Sequence, residues 1–371
     1  MKAVALLFLL ASTACPSDKI QIQRDGAQWL VTVSRSLPAQ SLDRIVSMGD
    51  LTVRGRSIKN IRYTIAQRLS TDEATARRVS KTLRAQIAGG QLTFEEPASV
   101  RIEVPRKSRF MALGSVAGMI DAADIDGSVR ADTAAGRITL DRIAGDVDIH
   151  SSGGATSLGS IGGVVRCHSG GGTIRAVLVR GQSLFETDGG DIHLGDMMGA
   201  VRAITAAGGI RIDQAGAEVF ADTLGGPISI VRALGLVIAN SGGGPIEIGD
   251  APSVRCQSRS GTIRLNNVSG SLRAVTGHGS IIAEILPGHP LENSVLSTRN
   301  GDITVFIPSD TGVTIHAETS GSRNPRSIVS DYSGLRTVAR GSSVVATGRI
   351  NGGGPLLRLT GAGGRIEIKR R

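Results

Sequence analysis

Aromatic residues are nearly absent: six Phe, two Tyr and one Trp make up 2% of 371 residues. Large aromatic side chains dominate the cores of ordinary globular proteins, so a conventional thick core is poorly supported here. A narrow aliphatic interior suits this composition better. Cysteine is also scarce, with three in the chain, and one of these, Cys15, falls in the N-terminal leader. That is too few for a disulfide scaffold. Acidic excess is missing as well: 42 Lys plus Arg stand against 32 Asp plus Glu, a formal charge of +10. The interleaved aromatics of single-strand nucleic-acid sites are absent too, so the basic balance does not point to nucleic acid.

Glycine is what the chain has in abundance, 50 residues of it. From Gly127 it recurs every nine residues, through Gly136, Gly145, Gly154, Gly163 and Gly172 to Gly244, with Ala217 in one slot. After one deleted residue the count resumes at Gly261, Gly270 and Gly279. Two residues after most of these glycines stands Val, Ile or Leu, as at Val129, Ile138, Ile192 and Ile210. A fixed short period means one unit stacked on copies of itself. Within each unit apolar and polar residues alternate, the pattern of a half-buried strand. The glycine is expected at a turn with positive φ. Odd and even units differ: the even ones carry an extra apolar residue, such as Ile143, Ile161, Val179, Met197 and Val268. The true repeat is therefore two nine-residue halves, about 18 residues per rung. At about 4.8 Å per rung, nine rungs give a rod of roughly 40 Å. The expected fold is an all-β, single parallel β-solenoid. Its turns lack the Asp of calcium-binding nonapeptide repeats, so no metal is expected in each turn.

The chain divides into three parts. Residues 1–15 (MKAVALLFLLASTAC) read as a short secretory signal. Two processing readings compete there: cleavage after Ser12-Thr13-Ala14, or a lipoprotein signal with lipid on Cys15, against which Ser12 stands where Leu is usual. Residues 16–120 lack the repeat and read as a small α+β lead-in or cap. Its strands are expected around 29–33, 45–53, 61–65, 92–94 and 100–104. A helix with Ala76, Val79, Leu83 and Ile87 on one face opens at Ser70-Thr71-Asp72-Glu73 and stops at Gly89-Gly90. A solenoid needs its first edge covered, or that edge would template aggregation. Residues 121–371 form the solenoid, with irregular loops near 287–292 and 319–335.

Certain residues carry a resemblance. Gly49-Asp50-Leu51-Thr52-Val53, Val100-Arg101-Ile102-Glu103-Val104-Pro105, the Gly-x-Val and Gly-x-Ile rungs, and the closing Gly-Gly-Gly-Pro and Gly-Arg-Ile-Glu-Ile are similar to a bacterial adhesin-like family of exported β-solenoid proteins. The resemblance covers most of the chain beyond residue 44. It implies a non-enzymatic envelope or surface protein and offers no catalytic residues to carry over.

Stacking sets residues 18 apart side by side, so sites can be sought in columns. Arg130, Arg166, Arg202, Arg255 and Arg273 form one outward row; Arg175, Arg211 and Arg264 form another on the opposite face. Such rows could bind anionic glycan, lipopolysaccharide or an acidic surface protein, or merely keep a β-rod solvated. A second column reads Asp132, His150, His168, Glu186, Ile204, Asp222. Adjacent imidazoles flanked by carboxylates have metal-ligand chemistry, and acids on a β-helix suggest the alternative of a carbohydrate-active enzyme. A neighbouring outward row holds Leu184, Phe220 and Ile238 next to Ile204, an apolar patch expected to be covered by the helix or the 319–335 loop, or else to be where a partner binds. Cys167 and Cys256 occupy the same inward slot five rungs, roughly 24 Å, apart, beyond disulfide reach.

Overall fold

The computed structural model describes residues 19–38, 42–321 and 324–371. The signal segment and Cys15 lie outside the described residues. From Phe110 to Ile307 the chain winds through about 11 turns of about 18 residues each, two more than the expected nine. Each turn has two strands, such as Ile138–Ile143 and Val147–Ser151. Strands of the first kind stack in parallel into one sheet, and strands of the second kind into a second. The register is i to i+18: Val147 pairs with Val165 and Ile174 with Ile192. It shortens once, where Ile246 pairs with Ile263, and lengthens once, where Ile281 pairs with Ile303 across the Pro287–Pro290 insertion. Ile, Val, Leu and Ala fill the space between the sheets, with Phe185 fully buried.

The two sheets differ for a local reason. The second sheet alternates strictly, so Val147, Ile149 and Ser151 all point inward. The first carries an extra residue before its last inward position, as in Leu140, Asp141, Arg142, Ile143. That insertion is a bulge, and Arg142 (φ 51), Asp124 (φ 65) and Asn267 (φ 50) take left-handed backbone there. The extra apolar residue of the even units, Ile143 or Val179, is thus the one that the bulge returns to the core.

Gly270 takes the expected positive φ (61°), but most repeat glycines are required for a different reason. None of Gly136, Gly154, Gly172, Gly190 or Gly208 adopts it. Instead, a Cβ on each would collide with the carbonyl oxygen of the glycine one coil earlier, as Gly154 with Gly136 and Gly190 with Gly172. Close stacking of backbone on backbone is what excludes a side chain.

Three residues before these glycines stands a buried Ser or Thr, at 169, 187, 205, 223, 241 and 258. Thr187, Thr205 and Thr223 donate to Gly172, Gly190 and Gly208 of the preceding coil at 3.1, 2.9 and 2.9 Å. The same oxygens accept the amides of Gly190, Gly208 and Gly226. Buried polar atoms are costly unless paired, and this ladder pairs them coil by coil.

Both ends are closed by coils out of sequence order. Arg44–Ser47 and Leu51–Arg56 form a parallel coil lying between Gln91–Phe94 with Ser99–Pro105 on one side and Phe110–Ser115 with Ile120–Ile125 on the other. At the far end Leu356–Ala362 and Ile366–Arg370 lie between the Ser294–Ile307 coil and the strands Val313–Ser320 and Ile328–Ser330. Much of the stretch that reads as a lead-in is therefore solenoid. The glycine period does not show there because the coils are not consecutive. Antiparallel strands then finish the stack: Ile61–Leu69, Gln28–Leu37 and Lys19–Asp25 at one end, Ser343–Ile350 and Leu335–Arg340 at the other. The 319–335 stretch contains the short strand Ile328–Ser330 as well as loop.

The helix spans Glu73–Thr82, capped by Asp72, whose carboxylate accepts from Thr75 N at 2.7 Å. It ends earlier than the sequence suggests, and Ile87 lies exposed in the strand Gln86–Ala88. It packs on Gln28–Leu37 and Lys19–Asp25, at the end of the rod. No helix among the described residues is long and apolar enough to cross a membrane.

Candidate functional site

The outer face of the second sheet gathers the sequence-predicted site residues. Strict alternation sends the second and fourth residue of every strand outward, and parallel register lines them up. One row runs Arg130, Asp148, Arg166, Leu184, Arg202, Phe220, Ile238, Arg255, Arg273. The arginines and the apolar residues expected in a neighbouring row are members of this single row. Ile204 stands in the adjacent one, beside Glu186 and Asp222.

The arginines are not equivalent. Arg130 lies 3.1 Å from Asp132 and 3.4 Å from Asp148, and its hydrogen bond to Asp132 holds its pKa above the usual guanidinium value. No carboxylate pairs with Arg166, Arg202, Arg255 or Arg273 among the described residues. The Arg202 guanidinium instead sits 4.1 Å over the Phe220 ring, a cation–π contact that leaves its charge uncompensated. A shallow depression at this point is lined by Arg166, Leu184, Arg202, Glu218 and Phe220. In the opposite row Arg211 pairs with Asp213 at 2.9 Å, while Arg175 and Arg264 are separated by His193, Arg211, Ser229 and Glu247.

The helix does not cover the apolar members, because it packs at the end of the rod. The stretch 324–335 contacts the closing coils. Leu184, Ile204, Phe220 and Ile238 are instead half-buried by their own row, where long arginine stems lie alongside.

Asp132, His150, His168 and Glu186 do fall on consecutive coils. The imidazoles of His150 and His168 lie 6.5 Å apart between ring centres. His150 Nδ1 is 3.7 Å from both Asp132 and Asp148, and His168 Nδ1 is 3.9 Å from Glu186. These are pairwise contacts along a ladder, and no group of three or more His, Cys, Asp or Glu is placed to hold a metal ion among the described residues. Asp132 and Glu186 stand three coils, roughly 14 Å, apart. Paired acids of inverting glycosidases lie about 6.5–9.5 Å apart, so this column lacks that spacing.

Cys167 and Cys256 are buried and free. Burial pushes the Cys167 thiol up to about 12 and Cys256 still higher, which makes both inert small hydrophobes.

Two features of the surface were not read from the sequence. A second depression on the same row is lined by Ser253, Arg255, Ser271, Arg273, Asn293 and Val295; the 18-residue spacing sets Arg255 beside Arg273, while Val295 reaches the row by the 22-residue step across the insertion. Val177, Met198, Leu224 and Leu234 are the most exposed large apolar residues, at 67%, 56%, 71% and 64%. They lie on the first sheet and at the corners, outside the rows searched.

No protein-family model matches the chain, and no curated protein sequence does. Among solved structures the chain is similar to a candidate cell adhesion protein from Clostridium sporogenes, at 9% identity and a TM-score of 0.16, covering 96% of this chain and 100% of that one. At that TM-score nothing about function follows from the likeness.

Proposed function

We propose that this protein is a non-enzymatic binding rod of the cell envelope or surface, exported by its N-terminal signal, that takes an anionic glycan along the outer face of its second sheet. One observation carries the reading: a straight row in which the unpaired arginines 166, 202, 255 and 273 are interspersed with Leu184, Phe220 and Ile238. The row from Arg166 to Arg273 covers six coil steps, roughly 29 Å. Guanidinium forks suit carboxylate and sulfate groups, and apolar side chains such as Phe220 suit the ring faces of sugars. A linear polymer lying along the rod meets both in turn. A lipid on Cys15 would tether the rod to a membrane.

The test is binding to an array of bacterial and host glycans at two salt concentrations. Salt-sensitive retention of anionic glycans that is lost in the Arg166→Glu/Arg202→Glu variant supports the reading. Lack of binding at either salt would sink it and turn attention to a protein partner.

A further inference from the structure

Several outward arginines along this rod find an acid on the adjacent coil. Arg130 meets Asp148 at 3.4 Å, Arg142 meets Asp124 at 2.6 Å, and Arg232 meets Asp250 at 3.0 Å. In each pair the partner comes from the adjacent coil, so stacking sets opposite charges side by side. Arg255 and Arg273 find each other instead: they are direct partners in the parallel ladder, both exposed, and both positive. Like charges directly opposite each other in a sheet are unfavourable.

Among the described residues no acid pairs with either arginine or lines the depression beside them. Ile238 and Val295 flank the pair along the row. Gln257 and Val275 occupy the next column. On the other side the depression is completed by Ser253, Ser271 and Asn293, all neutral. Ser253 Oγ donates to Ser271 O at 3.1 Å, and Asn293 Oδ1 accepts from Leu356 N at 2.9 Å. That leaves the Asn293 amide nitrogen and the Ser271 hydroxyl as donors beside two guanidinium forks. The depression near Arg166 and Arg202 differs, because Glu218 lines it.

We propose that Arg255 and Arg273 form an oxyanion site, the anchor point for a sulfate or carboxylate group carried on a glycan. Two planar forks about 4.8 Å apart along the stack can share one oxyanion, each guanidinium donating to different oxygens. The glycan as carrier rests on the reading under Proposed function; the site itself does not, since inorganic sulfate is its simplest probe.

The experiment compares the parent protein, the Arg255→Gln/Arg273→Gln variant and Arg180→Gln, an exposed arginine at a corner of the rod away from this row. Calorimetric titration uses sodium sulfate against a chloride background of equal ionic strength, then dextran sulfate, a polyuronate and neutral dextran. The expected result is sulfate binding in the parent and in Arg180→Gln, weakened about tenfold or more in the double variant. Tighter binding of dextran sulfate or of the polyuronate identifies the group carried. Arg255→Lys, which keeps the charge and loses the fork, should fall between the parent and the double variant. The side chains are exposed and their removal relieves a like-charge pair, so melting of the double variant in the absence of anions should equal or slightly exceed that of the parent, which verifies folding. Equal sulfate and polymer affinities in the parent and the double variant overturn the site. If polymer alone binds, and equally to both, the glycan reading survives and the site falls; if sulfate binds and is lost in the variant while no polymer binds, the site stands and the glycan reading falls.

Discussion

Thr205 Oγ1 donates to the carbonyl of Gly190 in the preceding coil at 2.9 Å and accepts the amide of Gly208 in its own coil at 3.1 Å. One buried hydroxyl thus joins two coils and satisfies two backbone groups. Replacing Thr205 with Val keeps the volume and removes both bonds, leaving a buried amide and carbonyl unpaired. The expected loss is about 1–3 kcal/mol, read as a lower urea midpoint, with Thr205→Ser much closer to the parent.

Neighbouring glycines should separate sharply. An Ala Cβ at Gly190 would run into the Gly172 carbonyl, whereas at Gly189 it would meet nothing within 4 Å. Gly190→Ala should cost about 1–3 kcal/mol through overpacking against backbone that cannot move. Gly189→Ala should be near neutral. Equal melting temperatures for the two variants would refute the close-stacking account.

Acid should weaken the bulge on the first sheet. Arg142 donates to both oxygens of Asp124, at 2.6 and 3.2 Å, and this hydrogen bonding holds the Asp124 carboxyl below the usual carboxylate range. A group whose folded pKa is depressed contributes stability that is present above its unfolded pKa and lost as pH falls through the folded one. The contribution is therefore full at neutral pH and fades below about pH 4. The pair is partly exposed, at 55% and 18%, so solvent screening keeps its contribution small. Asp124→Asn should flatten the stability profile below pH 4 relative to the parent, as followed by urea unfolding at several pH values.

Both buried thiols should be silent in the native protein. With the Cys167 thiol pushed up to about 12 by burial, almost no thiolate exists at pH 8. Iodoacetamide should label neither Cys167 nor Cys256 natively and both after denaturation, as read by mass spectrometry. Rapid native labelling of Cys167 would place it outside the core.

The local pattern made the middle of the molecule legible. Gly-x-Val alternation and the spacing of Gly127, Gly136 and Gly145 defined the unit and its register, so the columns of Arg166, Arg202, Arg255 and Arg273 and of Asp132, His150, His168 and Glu186 could be placed before any coordinates. The same arithmetic put Cys167 and Cys256 in one inward slot. The 18-residue step also carries the Thr187, Thr205 and Thr223 ladder and the Arg255 and Arg273 neighbours, whereas Val295 joins them only through the longer step across the insertion. The helix start at Asp72 was visible in the residues that cap it, while its end was not: Leu83 to Ile87 continues an apolar period that strand pairing to Gln91–Phe94 interrupts.

What the sequence determines by itself is periodic and local: strand alternation, coil length and the inward or outward sense of each residue follow from a repeat that every unit restates. Tertiary structure alone decided how the rod ends. The coil of residues 44–56 stacks between two later segments, and that of residues 356–370 between two earlier ones, because open sheet edges must find partners wherever chain connectivity permits. It also decided which arginines are free. The 18-residue step sets Arg130 beside Asp148 and Arg255 beside Arg273, but charge pairing depends on side-chain reach, so only the structure shows Arg130 meeting both Asp132 and Asp148 while Arg202 lies over the Phe220 ring.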